Sequence, residues 1–169
     1  MRRSLFFLLP AFAVLACVTS VHADDAVLHV SYLGKTLAFT SAEIAAMPHE
    51  DSSAFDPHEK KSHTYSGVPV RGLLAQLGAP LGEKLRGAAL SLVVVAQTKD
   101  NYQVVYSLAE FDESFSNRTI LLVDREDGQP LGNGMGPLRI MVPGDKRAAR
   151  WVRMLTSLEV VAAGDAPRH

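Results

Sequence analysis

Residues 128–145 of this 169-residue chain contain five glycines and three prolines, and this density limits the backbone conformations open to them. Three glycines near the centre permit positive φ or close backbone approach: Gly132, Gly134 and Gly136. Pro137 and Pro143 fix φ and remove an N–H group at either end of the apolar residues 138–142. The pattern predicts a short strand between rigid turns, with one cation, Arg139, placed within it.

The first elements of the domain are predicted from alternation and capping. Apolar and polar residues alternate over 26–32, and a Gly-Lys turn leads into 36–39, so a hairpin is expected. Thr40 is suited to be an N-cap, and Glu43 stands three residues later, as in a capping box. A short helix over 41–46 follows from this pair.

Two longer apolar segments give one helix and one strand. Pro69 fits the first helical turn and Gly78 is a natural stop, so residues 68–77 are predicted as the clearest helix. The valine-rich run 88–96 has no polar face and predicts a strand buried on both sides.

The remaining pattern consists of short strands joined by turns. Further strands are predicted at residues 102–106, 119–124, 138–142 and 153–161, with a helical turn starting at Ser107 and a hairpin turn at Asp127-Gly128. The polar residues 49–64 predict a strand edge and an exposed loop around 56–61. Many short strands with few short helices indicate the α+β class, mixed, with a largely β core.

The N-terminal residues 1–23 have a charged start, an apolar stretch and a small-residue cleavage site at Ala23, as secretory signals do. A lipid anchor at Cys17 is the alternative, because the residues before it resemble a lipoprotein cleavage site. Removal of the signal leaves a single domain at 24–165 and a polar tail at 166–169, in the periplasm or outside the cell.

Cysteine content and charge narrow the chemistry of the exported chain. Cys17 is the only cysteine, so the part after the signal has neither a disulfide nor a thiolate ligand or nucleophile. Loss of Arg2 and Arg3 leaves 15 basic and 18 acidic residues, a formal charge of −3 with neutral histidine. The absence of a basic tract argues against nucleic acid as a partner.

Three segments resemble those of a known family, and they follow one another in the same order and spacing as in that family. They read YSGVPVRGLLAQLG at 65–78, KDNYQVVYSLAEF at 99–111, and GQPLGNGMGPLRIMVPGD at 128–145 followed by RWVRMLTSLEV at 150–160. They are similar to the oxidoreductase molybdopterin-binding domain of sulfite oxidase and its bacterial periplasmic relatives. The resemblance covers about residues 36–160, and it implies that fold, an oxidoreductase activity and molybdopterin as cofactor.

The resemblance also implies that Arg139, Arg150 and Arg153 bind the cofactor, since the family carries basic residues there and some contact the pterin phosphate. Arginine suits this task because its planar fork donates bidentate hydrogen bonds to phosphate. The structural alternative is that Arg139 pairs with Glu110 or Asp112 and that Arg153 lies on a solvated strand face.

Two neighbouring features are also ambiguous between function and structure. Lys146 and Arg147, together with Arg150, form a basic cluster that is either an anion-receiving turn or a solvated surface. Trp151, the single tryptophan, either lines a pocket or belongs to the core, and the core is favoured by its apolar neighbours.

The chain departs from the family at the metal. The resemblance implies a molybdenum-ligating cysteine in the first half of the domain, but the corresponding segment, DSSAFDPHEKKSHTY at 51–65, contains none. Oxygen and imidazole ligands would not reproduce a thiolate site. His58 and His63 with Asp56 or Glu59 could ligate zinc or copper, yet their spacing matches no established motif, and surface histidines are favoured. No metal site and no catalytic residue are predicted.

Two hypotheses of function follow. The first is an exported oxidoreductase-like molybdopterin-binding domain protein that is degenerate at the metal site and works with a periplasmic redox or membrane partner. The second is a non-catalytic periplasmic binding or accessory module that uses the cleft of the fold for an anionic small molecule or a protein partner.

Overall fold

A computed structural model describes residues 26–56 and 60–167, which form two sheets with short helices between them. The strands in these ranges are β1 (Ala26–Tyr32), β2 (Lys35–Thr40), β3 (Glu50–Asp56), β4 (Lys61–Pro69), β5 (Leu92–Thr98), β6 (Gln103–Ser107), β7 (Leu121–Glu126), β8 (Gln129–Pro130), β9 (Arg139–Met141) and β10 (Leu155–Ala162). The α-helices are α1 (Ser41–Ala46) and α2 (Val70–Gln76). Short 3-10 helices lie at Gly82–Lys84, Gly87–Ser91, Leu108–Phe111, Ala148–Arg150 and Ala163–Asp165. The prediction of an α+β fold with a largely β core is confirmed.

Sheet A contains both the first and the last strand, in the order β2-β1-β10-β5-β6. β1 and β10 run parallel, with His29 opposite Ser157, and the other neighbours are antiparallel. A parallel pair needs a crossover connection, and here the chain between β1 and β10 supplies it. β10 is therefore an internal strand of this sheet.

Sheet B has the order β3-β4-β7, and the far edge of β7 is shared by β8 and β9. The β7–β8 turn is Asp127-Gly128, with φ of 49° and 77°, as a two-residue hairpin requires. Gly67 lies at the register shift between the antiparallel neighbours β4 and β7, and a Cβ there would stand 2.4 Å from the Leu122 carbonyl oxygen. Only glycine permits this close approach of the two strands.

One apolar core joins the sheets and the helices. Sheet A contributes Leu28 and Leu158, and sheet B contributes Leu122, each with no exposed surface. α1 buries Ile44 against them, and α2 buries Leu73 in the same way. Burying these side chains is worth roughly 1.5–3 kcal/mol each.

α1 begins as the sequence predicts. The Thr40 hydroxyl accepts from the Glu43 N–H at 3.2 Å, and the Glu43 carboxylate accepts from the Thr40 N–H at 2.8 Å, completing the capping box. α2 is shorter than predicted, because residues 68 and 69 still pair with β7 in β4 and Pro69 is the N-cap. The proline therefore precedes the helix instead of occupying its first turn.

The apolar run 88–96 is only partly a strand, so that prediction was wrong over its first half. Gly87, with φ of 56°, starts a 3-10 helix that continues to Ser91, whose hydroxyl donates to the Ala88 carbonyl at 2.8 Å. β5 begins after this turn and is buried between β6 and β10. Composition alone does not separate a short helical turn from a strand.

Several expectations concern residues outside the described ranges. The signal peptide at 1–23, the loop residues 57–59 and the end of the tail at 168–169 belong to these. Within 26–56 and 60–167, no helix combines the length and apolar character needed to cross a membrane.

Candidate functional site

A cleft of about 770 Å³ lies where the end of β3, the β5–β6 turn and the segments around β9 meet. It is lined by Phe55, Thr98, Asp100, Tyr102, Met135, Arg139, Lys146, Arg147, Ala148, Ala149, Trp151, Val152, Arg153 and Met154. Four of these described side chains are cationic and one is a carboxylate. The excess of positive charge favours an anionic ligand.

Arg139 is the buried cation of this cleft. The residue is only 3% exposed, and its Nε and Nη1 have no hydrogen-bond partner among the described residues. Its guanidinium carbon lies 5.4 Å from the centroid of the Tyr65 ring and 5.2 Å from that of Trp151. The pairing with Glu110 or Asp112, which was the structural alternative, is not formed. A guanidinium stays charged in a protein, so a complementary anion would lower the free energy of this site.

Backbone pairing fixes the position of Arg139. β9 is paired with β7, with Arg139 opposite Val123, and the next residue, Ile140, donates its N–H to the Val152 carbonyl at 2.8 Å. The strand is thus held on both sides. The prediction of a short strand with one cation, made from the glycine and proline pattern, is confirmed by β9.

The two aromatic rings next to Arg139 are held rigidly. Trp151 is 7% exposed and donates its indole Nε1–H to the Val142 carbonyl at 3.1 Å. Tyr65, fully buried in β4, meets Trp151 edge to face, with ring centroids 5.8 Å apart. Trp151 therefore belongs both to the core and to the cleft. Cation–π contact with two ring faces partly offsets the burial of the guanidinium.

Arg150 lies outside the cleft lining and is neutralised by two carboxylates. It makes paired hydrogen bonds to Asp145 at 2.9 and 3.2 Å and to Glu110 at 3.2 and 3.0 Å. Arg118 joins the same group, with its Nη1 3.1 Å from Asp145 Oδ1. We call these four residues the Arg150 cluster. The Arg150 guanidinium holds the pKa of the Asp145 carboxyl below its ordinary value.

Arg153 lines the cleft near its opening. Its Nη1 lies 3.8 Å from the sulfur of Met135, and its side chain is exposed. Asp100, the carboxylate of the cleft, accepts a hydrogen bond from the Thr98 hydroxyl, and this bond lowers its pKa, with a smaller contribution from Arg153. The structure thus brings Arg139 and Arg153 to one cleft and places Arg150 elsewhere. The ligand-binding role of all three stays a prediction.

Lys146 and Arg147 lie between β9 and the 3-10 helix Ala148–Arg150, and we call this segment the basic turn. Both side chains are exposed and line the cleft. Tyr102, in the β5–β6 turn, and Tyr106, in β6, hold the residues that follow. The Tyr102 hydroxyl donates to the Ala149 carbonyl at 3.2 Å, and the Tyr106 hydroxyl donates to the Arg150 carbonyl. Burial raises the pKa of Tyr106, which keeps that hydroxyl protonated. The cationic turn is therefore a fixed wall of the cleft.

The described histidines in and next to the segment that lacks the family's cysteine contact carboxylates. His63 is buried, with Nδ1 2.8 Å from Asp127 Oδ2 and 3.1 Å from Glu126 Oε1. His49 lies between the Met47 carbonyl at 2.7 Å and Asp124 Oδ1 at 3.0 Å. Over residues 26–56 and 60–167 no group of three or more His, Cys, Asp or Glu side chains has metal-binding geometry. His58, Glu59 and the side chain of Asp56 lie outside the described set.

The donors of the cleft fit only part of the cofactor that the sequence resemblance implies. Arg139, Lys146 and Arg147 suit a phosphate, and Tyr102, which is half exposed, offers an aromatic face to a ligand. A thiolate for molybdenum is missing, because the only cysteine of the sequence is Cys17, well before β1. The cleft therefore fits the phosphate and ring of a pterin and does not fit a cysteine-ligated metal.

Three aromatic residues of the site were not predicted. Tyr65 stands in the motif that begins YSGVP, but nothing local marks it as a neighbour of β9. Phe55 and Tyr102 are large aromatic residues in otherwise polar segments, and this contrast could have indicated them as binding residues.

Comparison with known proteins gives the same fold. The sulfane dehydrogenase SoxCD from Paracoccus pantotrophus is similar in structure, with a TM-score of 0.62 and 18% sequence identity. The alignment covers 83% of this chain and 39% of that one, so this chain spans about two fifths of its length. Among curated proteins, none matches the sequence. The model of the oxidoreductase molybdopterin binding domain matches residues 19–166. The chain therefore belongs to the oxidoreductase molybdopterin-binding domain family.

Proposed function

We propose that this protein is an exported binding domain of the family, and that its cleft holds an anionic small molecule on Arg139 without a cysteine-bound metal. The observation that carries the proposal is the state of Arg139. Its charge is buried, two of its nitrogens lack a partner among the described residues, and it faces aromatic rings instead of an acid. A guanidinium in this state is prepared to bind an anion.

The cleft offers two kinds of cation for this task. Arg139 would donate short, charge-assisted hydrogen bonds in a water-poor environment, where electrostatic attraction is strong. Lys146, Arg147 and Arg153 are exposed and would attract the ligand over a longer range, with an effect that salt reduces. Affinity would therefore depend mainly on Arg139, and the rate of association on the other three.

Degeneracy at the metal site is part of the proposal. When bound in this fold, molybdopterin supplies a metal centre for oxygen-atom and electron transfer, and that centre needs a thiolate ligand according to the family resemblance. The residues described here would hold the phosphate through Arg139, which lines the cleft. None of them replaces the thiolate, because the cleft lining contains one carboxylate, Asp100, and no histidine among the described residues, and oxygen ligands do not reproduce a thiolate site.

Export is proposed from the N-terminal sequence alone. The charged start, apolar stretch and Ala23 site of residues 1–23 have the form of a secretory signal. Cleavage there would place the domain in the periplasm or outside the cell. Mass spectrometry of the protein from a periplasmic extract, with the N-terminus at Asp24, would support this. A chain retaining Met1 in the cytoplasm, or one beginning at a lipidated Cys17, would contradict it.

The second candidate is an oxidoreductase component that carries a pterin cofactor and exchanges electrons with a periplasmic redox or membrane partner. Membership of the family favours it. The two candidates differ in metal content, so the first experiment is metal and pterin analysis of protein purified from a host that makes molybdopterin. We expect less than about one tenth of a molybdenum per chain, because the thiolate is missing. One molybdenum per chain would contradict the metal-free proposal.

The anion site is tested separately by calorimetric titration of the purified protein with inorganic phosphate at constant ionic strength. We expect saturable binding. The affinity should fall when the titration is repeated at a higher constant ionic strength, because the cleft attracts the ion electrostatically. Sodium chloride at equal ionic strength is the control. Absence of saturable binding would contradict the proposal.

A further inference from the structure

A pocket of about 240 Å³ lies where β3 begins and where β4 leads into α2. Its lining shares no residue with that of the cleft around Arg139. The charged side chains of this lining are Glu50, Arg71, Glu113 and Arg118, so cations and carboxylates are equal in number. We call it the Arg71 pocket. Its volume corresponds to about eight water molecules at roughly 30 Å³ each, which limits a ligand to a small molecule.

Arg71 is the cation of this pocket that is free to bind a ligand. Its Nη1 lies 3.6 Å from Oε1 of Glu113, which is too long for a hydrogen bond. Its Nε has no hydrogen-bond partner among the described residues. Arg118, in contrast, is held by the Asp145 carboxylate at 3.1 Å. The Arg71–Glu113 pair therefore presents unused donors and acceptors of opposite charge, 3.6 Å apart.

This pair favours a ligand that also carries two adjacent, opposite charges. Arg71 would attract a simple anion and Glu113 would repel it, and for a simple cation the two effects are reversed. In an α-amino acid the carboxylate and the ammonium are attached to one carbon, so each can lie against its opposite in the Arg71–Glu113 pair. The pocket therefore discriminates against ligands that carry only one of the two charges.

Gly72 indicates that space next to Arg71 is kept open. It lies inside α2, where glycine is a poorer helix former than alanine. Its φ is outside the left-handed region, and a Cβ built on it would meet no atom within 4 Å. Neither the backbone nor the packing of the described residues therefore requires glycine at this position. Gly72 lines the pocket, and a close approach of a ligand to the backbone would account for it.

We propose that the Arg71 pocket binds a small α-amino acid as a zwitterion, with its carboxylate on Arg71 and its ammonium on Glu113, in the space that Gly72 leaves open. The lining also includes Pro69 and Ile120, so a short aliphatic side chain suits it better than a charged one. This site is additional to the anion-binding function of the cleft and does not depend on it.

The test compares free L-alanine with propionate, which lacks the ammonium, and with ethylammonium, which lacks the carboxylate. Two-dimensional NMR of the isotope-labelled protein, titrated at neutral pH and constant ionic strength, should show a saturable shift of the Gly72 amide with free alanine. Its affinity should be about tenfold above those of the two singly charged compounds, because each of them loses one charged partner. Equal affinities for the three compounds, or no saturable shift with free alanine, would overturn the proposal.

Substitutions of the charged pair assign the site to its residues. Arg71→Gln should weaken the binding of free alanine about tenfold. Arg125→Gln is the matched control, because Arg125 has similar exposure, 40% against 42%, and a similarly loose ion pair, 3.9 Å to Asp124. It should leave the affinity unchanged. Glu113→Gln should lower the affinity for free alanine about threefold and raise that for propionate. Unchanged binding of free alanine in Arg71→Gln would overturn the proposal.

Gly72→Ala separates binding from folding. The added methyl group should raise the urea concentration at the midpoint of unfolding, because it favours the helix, and should weaken the binding of free alanine about fivefold by filling part of the pocket. Gly164→Ala is the control, since Gly164 lies in a 3-10 helix outside the lining and its Cβ would also meet no atom within 4 Å. A more stable Gly72→Ala protein with unchanged affinity would contradict the proposal.

The cleft and the Arg71 pocket fail or succeed separately. Arg139→Met should leave the affinity for free alanine within about twofold, because the two linings share no residue. A larger loss would place the amino acid in the cleft and overturn the separate site. If free alanine binds as expected and inorganic phosphate does not bind, the proposed function of the cleft fails and this site stands.

Discussion

Arg139 and Arg150 lie eleven residues apart in the sequence and in opposite electrostatic environments. Arg150 is about one third exposed and makes four hydrogen bonds to two carboxylates, in the Arg150 cluster. Arg139 is buried, contacts two aromatic rings, and has two nitrogens without partners among the described residues. Both residues are arginines of the C-terminal segments that resemble the family, so residue type does not account for the difference.

The two arginines differ in the source of the negative charge that compensates the guanidinium. In the Arg150 cluster the protein supplies the carboxylates, so the charges stabilise the fold and attract little else. At Arg139 the described protein supplies none, and the fold keeps a buried charge at a cost in free energy. The first arrangement is typical of a structural role, and the second is typical of a binding site. Substitutions at these arginines and their neighbours distinguish the two roles.

The largest effect is expected from Arg139→Met. Loss of the charge-assisted hydrogen bonds from its guanidinium should weaken phosphate binding about 100-fold. The free energy of unfolding should stay within about 1 kcal/mol or rise, because removal of a buried, unpaired charge offsets the lost cation–π contacts. Calorimetric titration and urea unfolding measure the two quantities. Arg86→Met, which removes an exposed arginine that does not line the cleft, is the control and should change neither. Unchanged phosphate affinity together with a large loss of stability would reverse the roles assigned here.

Arg150→Met should have the opposite pattern. It leaves Glu110 and Asp145 close together without their main cation, and we expect a loss of about 1–2 kcal/mol in unfolding free energy after allowance for solvent screening. Phosphate affinity should change by less than about threefold, since the guanidinium lies outside the cleft. A cycle with Glu110→Gln measures the coupling between the two residues. Additive effects in the cycle would show that the pair does not stabilise the fold.

A smaller effect is expected from pH. The Arg150 hydrogen bonds hold the pKa of Asp145 below its ordinary value in the folded state. The resulting stability is present above the unfolded pKa of about 3.9 and is lost as the pH falls through the folded value. The wild type should therefore lose more stability than Arg150→Met between pH 6 and pH 3, as measured by urea unfolding. Equal losses in both proteins would contradict the assigned cause.

The smallest effect should come from the exposed cations at the opening. Arg147→Ala should weaken phosphate binding only about twofold at 0.15 M salt, because exposed charges are screened over about 8 Å. The effect should grow when the salt concentration is lowered, and titration at two ionic strengths measures this. A loss as large as that of Arg139→Met would move the anion site to the basic turn.

Local features of the fold could be predicted because neighbouring residues decide them. The capping box of Thr40 and Glu43 and the Asp127-Gly128 turn depend on three or fewer adjacent peptide units, and both form as expected. The run 88–96 was misjudged, because its apolar composition suits a 3-10 turn as well as a strand. The deciding residue, Gly87, lies just outside the run.

Long-range features could not be predicted in this way. The glycine and proline pattern predicted a cation within the strand that forms β9. The family resemblance indicated Arg139, Arg150 and Arg153 as cofactor-binding residues. The choice between acid and aromatic neighbours depends on β4 and on Trp151, which reach Arg139 only in the folded chain. Composition likewise does not specify that β1 pairs in parallel with β10. Such pairings are set by the packing of the whole domain.

The internal position of β10 has a consequence for how the domain forms. Sheet A cannot be completed until residues 155–162 are available, because they separate β1 from β5. During synthesis, the first 150 residues would expose the edges of β1 and β5 and remain open to non-native pairing. The segment that lines the cleft leads directly into β10, so the geometry of the cleft depends on the insertion of the central strand of sheet A.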